Sequence, residues 1–62
     1  MSVMHNTVLI TREDEARFYD TERKAYVSLS ELADMLVAGR RIAVQDAETG
    51  EDVTSEILDL LH

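Results

Sequence analysis

Residues 18 to 36 and residues 44 to 62 of this chain follow one pattern, displaced by 26 positions. Asp20 falls on Asp46, Glu22 on Glu48, Val27 on Val53, Ser28 on Thr54 and Leu32 on Leu58, while Phe18 falls on Val44 and Met35 on Leu61. Each copy reads as a strand, an acidic turn, a return strand, a Ser or Thr cap and an amphipathic helix. A unit of that length cannot bury its own apolar face, so the copies must pack on each other. The spacing therefore predicts a single α+β domain over 7–62, built as ββαββα from two repeat units at about 16–39 and 42–62. An extra strand precedes the units, and residues 1–6 are expected to be a flexible N-terminus.

Local signals fill in the elements. Thr7-Val8-Leu9-Ile10-Thr11 is β-branched and apolar, and Arg17-Phe18-Tyr19 and Ala25-Tyr26-Val27 flank the polar reversal Asp20-Thr21-Glu22-Arg23-Lys24. Ser28 and Glu31 have capping-box spacing, and Leu29, Leu32, Ala33, Leu36 and Val37 make one helical stripe that Gly39 terminates. Ile42-Ala43-Val44 leads into a second acidic turn at 46–52, where Gly50 supplies a positive φ, and Thr54 caps a short last helix. Strands are expected near 7–12, 16–20, 25–27, 41–45 and 51–53, and helices near 29–38 and 55–61. The core expected from these patterns is Leu9, Phe18, Val27, Leu32, Leu36, Ile42, Val44, Val53, Ile57 and Leu61.

A chain of 62 residues without cysteine has a thin core and no disulfide to reinforce it, which leaves oligomerisation as the expected supplement. Ile57, Leu58, Leu60 and Leu61 cover too much of a two-turn helix for one thin sheet to bury. A homodimer is expected through Leu58, Leu60 and Leu61 together with Val8, Leu9 and Ile10. The net charge of -7 repels phosphate at long range, so contact with nucleic acid requires a local basic face. No apolar run has the ~20 residues that span a bilayer, and Met1-Ser2-Val3-Met4-His5-Asn6 lacks the basic start and apolar run of a secretion signal. A cytoplasmic protein that does not engage membranes is expected.

Chemistry-bearing constellations are missing. Asp46, Glu48 and Asp52 surround Gly50, but the glycine sits one place early for a calcium loop, so a solvated turn is the expected reading. His5 and His62 stand at opposite ends without companion ligands, and no Ser, His and Asp set or glycine-rich phosphate loop occurs. No metal and no cofactor are expected, and a binding or assembly module fits better than an enzyme.

The stretches Arg17-Phe18-Tyr19-Asp20-Thr21, Tyr26-Val27-Ser28-Leu29 and Asp46-Ala47-Glu48-Thr49-Gly50-Glu51-Asp52-Val53-Thr54 resemble the N-terminal DNA-binding domain of polyhydroxyalkanoate accumulation regulators. The resemblance covers roughly residues 8 to 61. It implies a bacterial transcriptional repressor that binds DNA, controls genes of granule-associated proteins and senses the polyester granule. The family's basic run Lys-Lys-Tyr-x-Asn-Arg-Arg maps onto Thr11-Arg12-Glu13-Asp14-Glu15-Ala16-Arg17, where Arg12 and Arg17 keep the charge and three carboxylates enter. Arg12, Arg17, Tyr19, Arg23, Lys24, Arg40 and Arg41 are the candidate DNA contacts, and the basic residues Arg12, Arg17, Arg23, Lys24, Arg40 and Arg41 converge on one edge of the sheet if the turn at 21–24 lies beside the helix exit at 39–41. The alternative is an acidic protein-interaction or dimerisation module that keeps the fold without binding DNA, or a domain that mimics DNA toward a basic partner.

Overall fold

The computed structural model describes residues 7–61. The expected flexible segment 1–6 and both histidines lie outside the described residues. The elements are β1 (Thr7–Asp14), β2 (Arg17–Asp20), β3 (Ala25–Val27), α1 (Leu29–Val37), β4 (Arg41–Asp46) and α2 (Thr54–Leu60). The strands form one mixed sheet in the order β3-β2-β1-β4, parallel between β1 and β4 and antiparallel elsewhere. Strands β2 and β4, equivalent by the 26-residue spacing, thus flank β1 on opposite sides and run in opposite directions.

The two acidic turns are built alike, atom for atom. Asp20 Oδ1 accepts the N-H groups of Glu22 and Arg23 at 2.9 and 3.0 Å, and Asp46 Oδ1 accepts those of Glu48 and Thr49 at 2.8 and 3.0 Å. Each turn then closes by a 2.8 Å bond to the aspartate carbonyl, from Lys24 N-H in one and Gly50 N-H in the other. Those closing residues both have positive φ, +57° at Lys24 and +78° at Gly50. The copies diverge after the turn. Where β3 returns in full, the expected strand at 51–53 shrinks to a single bridge between Gln45 and Asp52. The Thr54 hydroxyl takes over part of its task, accepting the edge N-H of Val44 at 2.9 Å. Thr54, expected to cap α2, instead braces β4 as the first residue of that helix; the N-cap is Val53, without a side-chain cap, and Asp52 Oδ1 accepts the Thr54 N-H at 2.9 Å.

Helix α1 has the expected capping box, Ser28 N-H to Glu31 Oε1 and Glu31 N-H to Ser28 Oγ. It ends in a Schellman arrangement on Gly39, with Arg40 N-H bonded to Met35 O and Gly39 N-H to Leu36 O. Both helices cover the same sheet face. The core is Val8, Ile10, Phe18, Val27, Leu32, Met35, Ile42, Val44, Val53 and Ile57, with Leu29, Leu36 and Leu61 packed at its margin. Leu9, expected inside, points to the other face and is 42 % exposed, because pleating sends Val8 and Ile10 inward. Val37, expected on the buried stripe, is 87 % exposed, and Met35 takes its place.

Candidate nucleic-acid interface

Strand direction sorts the charges by sheet end. The β1-β2 turn and the turn after β4 share one end, joined where Ala47 N-H donates to Arg12 O at 2.9 Å. That end gathers Glu13, Asp14, Glu15, Asp46, Glu48, Glu51 and Asp52, with Arg12 and Arg17 as its cations. The turn at 21–24 hangs at the opposite end, where Thr21 N-H donates to Leu9 O at 3.1 Å. The exit of α1 lies beside it, since Arg40 Nη2 and Glu22 Oε1 are 3.3 Å apart. Arg23, Lys24, Arg40 and Arg41 therefore share this end, whereas Arg12 and Arg17, expected on the same edge, lie at the other, so the six basic residues do not converge on one edge. Arg23 and Arg40 also share a shallow cleft with Glu31, Asp34, Met35 and Ala38.

Arg12 belongs to a different structure. Its guanidinium sits 3.1 Å from Asp46 and 3.5 Å from Glu56, on the helix side of the sheet, and so clamps β1 to the second turn and to α2. The hydrogen bond from Arg12 to Asp46 raises the arginine's pKa. The carboxyl of Asp46 is lowered, first by the Thr49 N-H and then by Arg12 and the Glu48 N-H. Asp52 is lowered by the hydroxyl and then the N-H of Thr54.

Arg17 and Tyr19 stand on the open sheet face, joined by Tyr26, which sequence reasoning did not single out. The Arg17 guanidinium lies 4.8 Å above the Tyr26 ring centre, Tyr19 meets Tyr26 edge-on at 5.1 Å, and the Tyr26 hydroxyl reaches Glu13 at 3.3 Å. The inward setting of Val27 in a three-residue strand was the available signal, because it forces Tyr26 outward. Arg41 joins this face at its far end, opposite Thr7.

The expected dimer patch is split. Val8 and Ile10 are fully buried within the chain, Leu9 is on the open face, and Leu58 and Leu60 are exposed on the helix layer behind it. Leu61 packs at the core margin. An unbroken apolar triplet offers two pleat parities, and the helices selected the one that buries two side chains. Among the described residues no group of three or more His, Cys, Asp or Glu is placed to hold a metal, and no helix is long and apolar enough to cross a membrane.

Residues 9–61 match the family model of the PHB/PHA accumulation regulator DNA-binding domain. An uncharacterized protein of Allochromatium vinosum is 31% identical over 55 residues, which cover 89% of this chain. The chain spans 36% of that relative's length. No solved structure matches the chain.

Proposed function

The chain belongs to the family of PHB/PHA accumulation regulator DNA-binding domains, and from that premise we propose that it is the DNA-contacting domain of a bacterial transcriptional repressor of polyhydroxyalkanoate accumulation. The observation that carries this reading is the placing of Arg23, Lys24, Arg40 and Arg41 at the sheet end away from the β1-β2 turn and the turn after β4. A molecule with a net charge of -7 is repelled by a duplex in most orientations. At this end the four cations outnumber the neighbouring carboxylates Glu22, Glu31 and Asp34, which leaves one approach less repelled and steers that end toward phosphate. Arg23, Lys24 and Arg41 make no salt bridge among the described residues, and the Arg40 pair with Glu22 is about half exposed on both sides. Exposed pairs hold little net energy, so phosphate can replace Glu22 at small cost.

The test is fluorescence anisotropy with labelled bacterial promoter duplex. With about four phosphate contacts, affinity should fall roughly 10²-fold between 50 and 200 mM salt. Arg23→Ala combined with Arg40→Ala should weaken binding across sequences, while Arg12→Ala should act through stability alone. Absence of binding at low salt would overturn the reading and leave the acidic protein-interaction module in its place.

A further inference from the structure

The open face of the sheet is used by the DNA reading only at its Arg41 corner, and its chemistry suits a second copy of the chain. Both helices lie on the opposite side. On the open side Leu9 and Tyr26 are 42 % and 52 % exposed, and Thr7, Thr11, Tyr19 and Ala43 are partly so. Its charges are polarised along the strands. Arg41 sits at one end, while Glu13, Asp14 and Glu15 outnumber Arg17 at the other.

We propose that two copies of this domain pair through their open sheet faces about a twofold axis that crosses the strands. A face-to-face pair with closed symmetry has its axis in the plane between the sheets. An axis along the strands would stack acidic end on acidic end. An axis across them lays the Glu13, Asp14 and Glu15 end of one copy over Arg41 of the other, and the charge pattern therefore selects it. Leu9 and the tyrosines meet their symmetry mates in the middle, in the aligned manner of packed sheets. Arg23, Lys24 and Arg40, on the turn and the helix exit, are not part of the paired faces. The inference does not rest on DNA binding. With strands this short, at about 3.3 Å per residue and about 4.8 Å between strands, the pair buries on the order of 800 Å² in total. That is below the roughly 1,200 Å² of stable specific interfaces, so the pair is a weak one that exchanges with monomer.

Sedimentation of the whole chain across micromolar concentrations is the experiment. Tyr19 and Tyr26 are the only tyrosines and tryptophan is absent, so intrinsic fluorescence reports on the same face independently. The expected result is a concentration-dependent dimer that Leu9→Glu weakens at least about tenfold, that Leu60→Glu leaves intact, and whose formation changes tyrosine emission. Arg41→Glu should weaken it as well, and adding Glu13→Arg to Arg41→Glu should restore it by exchanging the partners. The charge exchange carries the test if Leu9→Glu fails to fold. A monomer at every concentration, a dimer broken by Leu60→Glu instead, or a doubly exchanged variant no better than Arg41→Glu alone each overturns the proposal.

Discussion

Asp20 and Asp46 hold equivalent turns with the same oxygen, and they differ in what meets the other one. Asp46 Oδ2 receives Arg12 at 3.1 Å, whereas Asp20 Oδ2 is buried without a hydrogen-bond partner among the described residues. The role of Asp20 is thus confined to the two N-H groups it accepts, and an amide can accept them equally well. Asp20→Ala should cost about 1–3 kcal/mol by stranding those donors, and Asp20→Asn clearly less, as read from urea unfolding. Acid should act on the other turn. The carboxyls of Asp46 and Asp52 are lowered in the fold, so their stabilising contribution is complete above the unfolded carboxylate pKa of ~3.9 and is lost as pH falls through their folded values. The melting temperature should hold level from neutral to about pH 4 and then decline. Asp46→Asn should blunt that decline, and an equal decline in the variant would show that this carboxylate is not responsible.

The helices rest on different supports, and their sensitivities should differ accordingly. Helix α1 carries its own signals at both ends, the Ser28 and Glu31 box and the Gly39 turn, and it buries Leu32 completely. Ser28→Ala should cost about 1 kcal/mol, and Leu32→Ala about 2–5 kcal/mol, both measured by chemical denaturation against the parent. Helix α2 has seven residues, buries Ile57 alone and takes its leading N-H bond from Asp52. Its amides should exchange with solvent faster than those of α1. This contrast also explains what the sequence could disclose. Turn chemistry and capping act over two to four residues, so both aspartate turns, the α1 boundaries and the Gly39 stop were legible. The orientation of β1 was not, because Val8-Leu9-Ile10 is apolar at every position and carries no alternation. The lost strand at 51–53 was hidden for a similar reason, since only the folded sheet reveals that Thr54 can reach the edge of β4. The segments that carry the family resemblance most strongly, around Asp20-Thr21 and Asp46 to Thr54, prove to hold the turns together. They identified the fold, while the convergence of Arg23, Lys24, Arg40 and Arg41 depended on which loops the sheet brings to one end.

At the scale of the whole molecule, the net charge and the local charge give opposite answers about DNA, and distance decides between them. The eight residues of β1 hold the acidic and basic ends roughly 25 Å apart at about 3.3 Å per residue. Screening reaches about 8 Å at physiological ionic strength and about 30 Å at 0.01 M. Carboxylates at the acidic end are therefore nearly invisible to a duplex docked at the basic end under cellular salt, and become strongly felt when salt is withdrawn. Glu15 and Glu48 are exposed at the acidic end and make no salt bridge among the described residues. Reversing both to Lys moves the net charge from -7 to -3, each reversal adding two. Duplex affinity at 0.15 M salt should then stay within about twofold of the parent and rise markedly at 0.01 M, giving a steeper salt dependence. If the double reversal instead strengthens binding many-fold at 0.15 M, the β1-β2 turn itself touches the duplex. The surface that corresponds to the family's basic run would then be the DNA site in this chain too, despite its carboxylates.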